Sequence, residues 1–146
     1  MQYYIFTIMN MNTRLFEKKA SNILSVLGNP FRIKIALALG EQEACVCHLE
    51  TLLKKRQAYI SQHLMAMRKA GLLNTRREGK FVYYRLSNSA VIDLIRDAAA
   101  IAGIDPDKLP ELENKGTLEQ CVCPYCGEND DALSKGATPL KSVKIK

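Results

Sequence analysis

The cysteines of this chain have a spacing that is typical of reactive or metal-binding thiols. There are five. Cys45 and Cys47 flank a valine, and Cys121, Cys123 and Cys126 form a second group near the C-terminus. An odd number in two tight groups fits a disulfide framework poorly and, in a reducing compartment, is typical of metal-binding or redox-active thiols. The sequence therefore predicts a thiol site in a cytoplasmic protein.

The first pair stands at the start of a helix predicted over about residues 45–54. Side chains two positions apart on a helix do not face each other, so one ion could hold both sulfurs only near the frayed helix start or by distorting the first turn. The helix dipole favours thiolates at that end. An ion bound there would pull on the helix that supports the next one. The alternative is that Cys45 and Cys47 are two small buried apolar side chains.

The second group allows three interpretations. Its Cys-Pro-x-Cys-Gly run resembles half of a zinc knuckle, and knuckles usually need two halves. The group could complete the Cys45/Cys47 site within or across a dimer, bind its own ion, or act as a dithiol. Cys-Pro-Tyr-Cys is also similar to the glutaredoxin active site, but that motif should open a helix after an early strand. Only 20 residues follow Cys126, so we expect no enzyme.

Soft thiolate ligands select thiophilic ions. Three sulfurs suit As(III), Sb(III) or Pb(II), four suit Cd(II) or Zn(II), and five cysteines can supply either number. Residues 104–133 carry eight acidic and two basic side chains. This charge attracts cations but not neutral arsenite, which favours the divalent metals slightly.

The positive charge is concentrated in the middle of the chain. The formal net charge is +6, yet residues 54–85 alone carry nine basic side chains and one acidic side chain. Such a concentration indicates a polyanionic partner, although a solvated basic face is the simpler alternative.

The elements around these residues predict a mainly α fold with a β-hairpin. Helical apolar spacing predicts helices over 14–27, from Asn29-Pro30 to Leu39, and over 45–54 and 57–70. Alternating residues at 73–77 and 80–86, joined by Glu78-Gly79, predict the hairpin. An apolar stripe predicts a last helix, with its members at Val91, Leu94, Ile95, Ala98 and Ala102. We therefore expect an N-terminal extension (1–12), a winged helix-turn-helix domain (13–103) and an acidic cysteine-containing tail (104–146).

In such a domain the second helix of the pair can enter the major groove of DNA. Ile60, Leu64 and Met67 would face the core. The opposite face predicts base contacts from Gln57, Ala58, Tyr59, Ser61 and Gln62, since Gln and Ser can bond base edges. The hairpin residues Arg76, Arg77 and Lys80 suit the phosphate backbone or a minor groove.

Three segments together carry a family resemblance: LGNPFRIKIALAL, CVCHLETLL and ISQHLMAMRKAGLLNTRREGKFVYYRL. They strongly resemble the ArsR/SmtB family of metal-responsive repressors over about residues 14–102. The resemblance implies a homodimeric winged helix-turn-helix repressor, with its first and last helices at the dimer interface. It would bind double-stranded operator DNA, not RNA or membrane, and would release the operator when an inducer binds.

The resemblance also bears on individual residues. Cys45-Val46-Cys47 matches the sequence of thiolate-sensing members. Some members carry a further cysteine where this chain has Glu50, so another thiolate must come from elsewhere. Zinc-sensing members use acidic and histidine residues on the last helix, but Asp93 and Asp97 have no histidine beside them, so that site is rejected. Ala58 and Tyr59 depart from the usual residues, so the operator preference does not carry over. A thiol-redox or reactive-sulfur sensor on the same scaffold remains the alternative function.

We expect different effects from removing a hairpin cation and a helix amide. Arg77→Ala should weaken binding to all duplexes alike and make its salt dependence shallower, because a phosphate contact carries no sequence information. Gln62→Ala should cost about 1–3 kcal/mol at one base position and relax the preference there. Binding measurements on an operator and its single-base variants test this. Equal loss of specificity from both substitutions would contradict the docking.

Overall fold

Five helices and a three-stranded antiparallel sheet make up the described part of the chain. The computed structural model describes residues 2–109, Cys121 and Cys123, with side chains from Thr13 onward. The element bounds, in chain order, are α1 (Gln2–Leu27), α2 (Pro30–Leu39), β1 (Glu43–Cys45), α3 (Val46–Leu53), α4 (Gln57–Lys69), β2 (Leu73–Glu78), β3 (Phe81–Leu86) and α5 (Ala90–Ile101), followed by a 3-10 turn at Pro106–Lys108. This is the predicted order of helices and hairpin, with one added strand.

Local signals define the start of α2. The Asn29 side-chain oxygen accepts hydrogen bonds from the backbone N–H groups of Phe31 (3.0 Å) and Arg32 (3.3 Å). Pro30 then occupies the first helical position, where its missing N–H costs nothing. The predicted cap is therefore confirmed.

Helices α3 and α4 form the helix-turn-helix pair. Residues 54–56 join them, and Lys54 turns the chain with a left-handed backbone (φ 52°). Ile60, Leu64 and Met67 on α4 are completely buried, as predicted, in the core shared with α2 and α3. Burial of this stripe leaves the opposite side of α4 facing outward.

The sheet has the strand order β1-β3-β2. Cys45 on β1 lies opposite Tyr83 on β3, which in turn lies opposite Arg76 on β2. Because side chains alternate along a strand, these three residues share one side of the sheet. Ala44 and Leu86 lie on the other side, against the main core. We call the side carrying Cys45, Tyr83 and Arg76 the outer face.

The main differences from the sequence-based expectation are the start of α1 and the segment around Cys45; the other predicted boundaries agree to within one residue. Helix α1 begins at Gln2 rather than near residue 14, because residues 2–12 contain no glycine or proline to interrupt it. Strand β1 was not predicted, since three residues are too few to show an alternating pattern. The predicted helix start at Cys45 is therefore one residue early: Cys45 ends the strand, and α3 starts at Val46.

The first and last helices expose apolar side chains. Phe16 on α1 is 70% exposed, and Ile101 at the end of α5 is 89% exposed. The predicted stripe on α5 is divided: Val91 and Ile95 pack into the core, whereas Ala98 and Ala102 are exposed. Within residues 2–109, no helix combines the length and apolar character needed to cross a membrane.

Candidate metal centre and nucleic-acid interface

Four cysteines from the two groups come together in one cluster. The sulfur atoms of Cys45, Cys47, Cys121 and Cys123 all lie within 4.8 Å of one another. Cys121 Sγ is 3.6 Å from Cys47 Sγ and 3.5 Å from Cys123 Sγ. The structure thus brings together four of the five predicted thiol ligands, whereas Cys126 lies outside the described residues. We call these four residues the thiol cluster.

The geometry of Cys45 resolves the spacing problem of the first pair. Cys45 has an extended backbone (φ −80°, ψ 166°) and caps α3, and its sulfur accepts a hydrogen bond from the His48 N–H at 3.3 Å. Cys47 is already inside the first helical turn. Because one cysteine ends a strand and the other begins a helix, both sulfurs reach the same point without distortion of α3.

Burial controls the electrostatics of the cluster. Cys45, Cys121 and Cys123 are buried, and Cys47 is half-buried. Burial raises the pKa of the Cys45 thiol well above its usual range, and hydrogen bonding to Cys47 adds to this effect, while the His48 amide opposes it. The neighbouring Tyr83 is buried as well. Burial, with the nearby Cys123 and Cys45 sulfurs, raises the pKa of Tyr83 to about 12. Without an ion, burial therefore favours the protonated form of the Cys45 thiol.

The donor set fits a thiophilic ion. A tetrahedral ion with metal–sulfur bonds of about 2.3 Å separates its sulfurs by about 3.8 Å, and all the sulfurs here lie within 4.8 Å of one another. Tyr83 and Phe81 pack against the cluster and limit access of water. Any three of these thiolates also suit a trigonal ion, so the cluster can hold an ion of either class.

The predicted base-contacting residues lie together on α4. Gln57, Ala58, Tyr59 and Gln62 are exposed, and Ser61 is half-buried. Gln57 begins the helix, and its N–H donates to a carboxylate oxygen of Glu50 on α3 at 3.3 Å. The face is therefore available to a groove and is attached to the helix that carries Cys47.

An aromatic cluster that the sequence did not reveal supports this face. The rings of Phe31, Tyr59 and His63 lie 4.7–5.0 Å apart, centroid to centroid. Arg32 Nε donates to His63 Nδ1 at 3.3 Å, and another Arg32 nitrogen donates to the Val26 carbonyl. These contacts connect α4 to α2 and place His63 among them rather than with the thiol cluster.

The three hairpin cations have different surroundings. Arg77 donates from Nε to the Gly79 carbonyl at the turn (3.2 Å), and Lys80 Nζ lies 5.4 Å from the Phe81 ring centroid. Arg76 instead pairs with Glu43 and Glu78 and stacks on Tyr83, 4.7 Å from its ring centroid. None of these contacts of Arg76 was predicted, and the one with Glu43 depends on strand β1.

Comparison with known proteins places the chain in a family. Residues 29–75 match the family model described as bacterial regulatory protein, arsR family. The chain is 39% identical over 88 residues to the biofilm growth-associated repressor of Agrobacterium fabrum, a match that covers 58% of this chain and 75% of that protein. The chain belongs to the arsR family of bacterial regulatory proteins. The predicted ArsR/SmtB resemblance is thereby confirmed.

Two further similarities concern a repressor and a solved structure. The chain is 38% identical over 86 residues to the HTH-type transcriptional repressor SmtB of Mycobacterium tuberculosis, a match that covers 59% of this chain and 64% of that repressor. A homodimeric winged helix-turn-helix DNA-binding domain from Mycobacterium bovis, a possible ArsR-family regulator solved by NMR, is 26% identical with a TM-score of 0.56. That likeness covers 62% of this chain and 83% of the other and confirms the winged helix-turn-helix fold.

Because the thiol cluster is buried, its affinity for a metal ion should depend steeply on pH. The raised pKa keeps Cys45 protonated near neutrality, so binding must expel its proton, and each proton released adds about tenfold in apparent affinity per pH unit. Cd(II) titration against a competing chelator between about pH 6 and 8 measures this dependence. In Cys45→Ser, the pH dependence of the Cd(II) affinity should correspond to about one fewer proton released. An affinity unchanged over this pH range would contradict a Cys45 thiol that is protonated in the metal-free protein.

Proposed function

We propose that this protein is a cytoplasmic, DNA-binding transcriptional repressor that releases its operator when a thiophilic metal or metalloid ion binds the thiol cluster. The observation that carries the proposal is the convergence of Cys45, Cys47, Cys121 and Cys123 within 4.8 Å. The cluster lies at the start of α3, the helix that packs against α4.

The route from the ion to the DNA is short. Cys47 belongs to the first turn of α3, and Glu50 one turn later accepts a hydrogen bond from Gln57 at the start of α4. A change in the position of α3 is therefore transmitted to the end of α4 that carries the predicted base contacts. Coupling between two such sites is typically about 1–3 kcal/mol, enough to change operator occupancy severalfold or more.

The inducer class follows from the sulfur donors. Four thiolates suit Cd(II) or Zn(II), and three suit As(III), Sb(III) or Pb(II). Operator-binding titrations under reductant with each of these five ions test the proposal and identify the inducer. Operator release at one ion per chain is the expected result, and failure of every ion to release DNA contradicts metal sensing.

A thiol-redox sensor is the second candidate, supported by the 3.6 Å separation of the Cys47 and Cys121 sulfurs. Two thiols would lose two protons and two electrons to form one disulfide, and a hydroperoxide would be reduced to an alcohol and water. Release under oxidant alone, without metal, would favour this function over the first.

We also propose a homodimer. Large apolar side chains are exposed on α1 (Leu15, Phe16 and Leu24), at the end of α5 (Ile101) and just after it (Ile104). We propose that a second copy of this chain packs against them. The homodimeric state of the similar Mycobacterium bovis domain supports this. A two-fold dimer would read a palindromic operator with half-sites about 10–10.5 base pairs apart, or a multiple of that.

The dimer prediction can be tested with a charge in the proposed interface. Phe16→Glu should lower the dimer fraction and the operator affinity together, because a carboxylate would be buried without a partner. Glu17→Gln on the same helix is the control and should preserve both. Sedimentation and operator binding measure the two quantities. A strictly monomeric wild-type protein at micromolar concentration, with full operator affinity, would contradict the proposal.

Serine substitutions should separate sensing from DNA binding. Cys45→Ser and Cys47→Ser should keep operator affinity near that of the wild type and abolish the inducer response, because both residues lie behind α4 rather than on its outer side. Cys121→Ser and Cys123→Ser should lower inducer affinity. Cys126→Ser is the matched control and should leave the response intact if the four clustered thiols suffice. Operator binding with and without the inducer gives each result.

A chain truncated after Gly116 gives an independent test of the tail. It should bind the operator but respond to metal only at higher concentration. A truncated protein that releases DNA at the same metal concentration would show that Cys45 and Cys47 act without the tail. Loss of response on truncation, combined with a normal response in Cys45→Ser, would assign sensing to the tail cysteines alone.

A further inference from the structure

The outer face of the sheet carries both the thiol cluster and an ion-pair network. Cys45 and Glu43 are two residues apart on β1 and therefore point to the same side. Tyr83 lies opposite Cys45, and Arg76 lies opposite Tyr83. The cluster and the network are thus neighbours on one surface of three short strands.

The polar groups of Arg76 are directed at carboxylates. Its two terminal nitrogens donate to Glu43 (2.5 Å) and Glu78 (2.6 Å), and its Nε donates to the second Glu43 oxygen (3.3 Å). The flat side of the guanidinium lies on the Tyr83 ring. In this arrangement the charge of Arg76 is matched within the protein, and each of its three nitrogens donates to a carboxylate.

Tyr83 and Glu43 connect this arrangement to the sulfurs. Tyr83 is 4% exposed and packs with Cys45, Cys121 and Cys123. Glu43 shares its strand with Cys45. Any movement of Cys45 away from the cluster therefore shifts the ring beneath Arg76 and the carboxylate beside it.

We propose that Arg76, on the β2–β3 hairpin (the wing), is the residue through which the thiol cluster controls DNA binding. This inference rests on the proposed function and deepens it. While a bound ion keeps the cluster closed, Arg76 is held by Glu43, Glu78 and Tyr83 and does not bind DNA. When the cluster opens, the end of β1 is released, and the guanidinium can pair with a backbone phosphate. Arg77, which has no part in this network, contributes to DNA binding in both states.

The expected size of the effect is modest. Exposed ion pairs between side chains are weak one at a time, although a guanidinium held by two carboxylates has more fixed geometry than a single pair. Arg76 and Glu78 are mostly exposed. We therefore expect the network to account for a roughly two- to fivefold part of the metal-dependent change in operator affinity.

The experiment measures operator affinity with and without Cd(II) as a function of salt, for wild type, Glu43→Gln and Glu41→Gln. Glu41→Gln is the matched control. Glu41 is exposed and lies two residues before Glu43, and its substitution removes the same charge outside the network. The ultraviolet charge-transfer absorbance between sulfur and Cd(II) checks that the thiol cluster still binds the ion in each variant.

Glu43→Gln should raise the operator affinity of the Cd(II)-loaded protein about two- to fivefold. Its salt dependence should steepen by about one unit, as expected for one added phosphate contact. Because metal binding and DNA binding are thermodynamically linked, the affinity of the DNA-free protein for Cd(II) should fall by no more than this two- to fivefold factor. Glu41→Gln should behave like the wild type, and the absorbance should be unchanged in both variants.

Arg76→Ala provides a second test that does not depend on Glu43. It should weaken operator binding and lower the salt slope by about one unit in the metal-free protein, with little effect in the Cd(II)-loaded protein. Equal weakening in both states, or a Glu43→Gln protein that releases DNA as completely as the wild type, overturns the inference. A wild type that does not release DNA with Cd(II) counts against metal-induced release itself, which is a distinct outcome.

Discussion

The junction between β1 and α3 at Cys45 is the constraint on which the arrangement of the molecule depends. Cys45 is the last residue of a strand, the cap of a helix and one corner of the thiol cluster. Its backbone pairs with β3 opposite Tyr83, while its sulfur accepts the His48 amide. Cys45 thereby connects α3, the helix before α4, to the sheet that contains the β2–β3 hairpin.

In the proposed function, this junction would give a bound ion two ways to act. On one side, α3 is connected to α4 through Glu50 and Gln57, so the position of the proposed reading helix follows that of the cluster. On the other side, β1 is connected to the wing through Tyr83. The buried Cys45 thiol must give up its proton when an ion binds, and an ion that binds sulfur strongly can offset that cost. Binding of an ion at the cluster could therefore change the positions of both α4 and the β2–β3 hairpin.

The sequence predicts most of the fold because its local signals agree. The Asn29-Pro30 cap, the buried stripe of α4 and the alternating hairpin each appear in the structure. The sequence also identifies both cysteine groups. It cannot show that Cys121 and Cys123 meet Cys45 and Cys47, because contacts over such separations depend on the path of the chain. The contact between Arg76 and Glu43 was missed for a related reason: it requires β1, a strand too short to leave a pattern.

We propose that Cys121 and Cys123 join Cys45 and Cys47 in one metal centre within the folded protein. X-ray absorption spectroscopy of the Cd(II)-loaded full chain tests it most directly, because it reports the type and number of ligand atoms. We expect the Cd(II) ion to have only sulfur ligands, about four in number. This ligand set should persist in Cys126→Ser and should lose sulfur in the chain truncated after Gly116. A mixed shell of sulfur with oxygen or nitrogen in the full chain, or an unchanged sulfur shell after truncation, would contradict it.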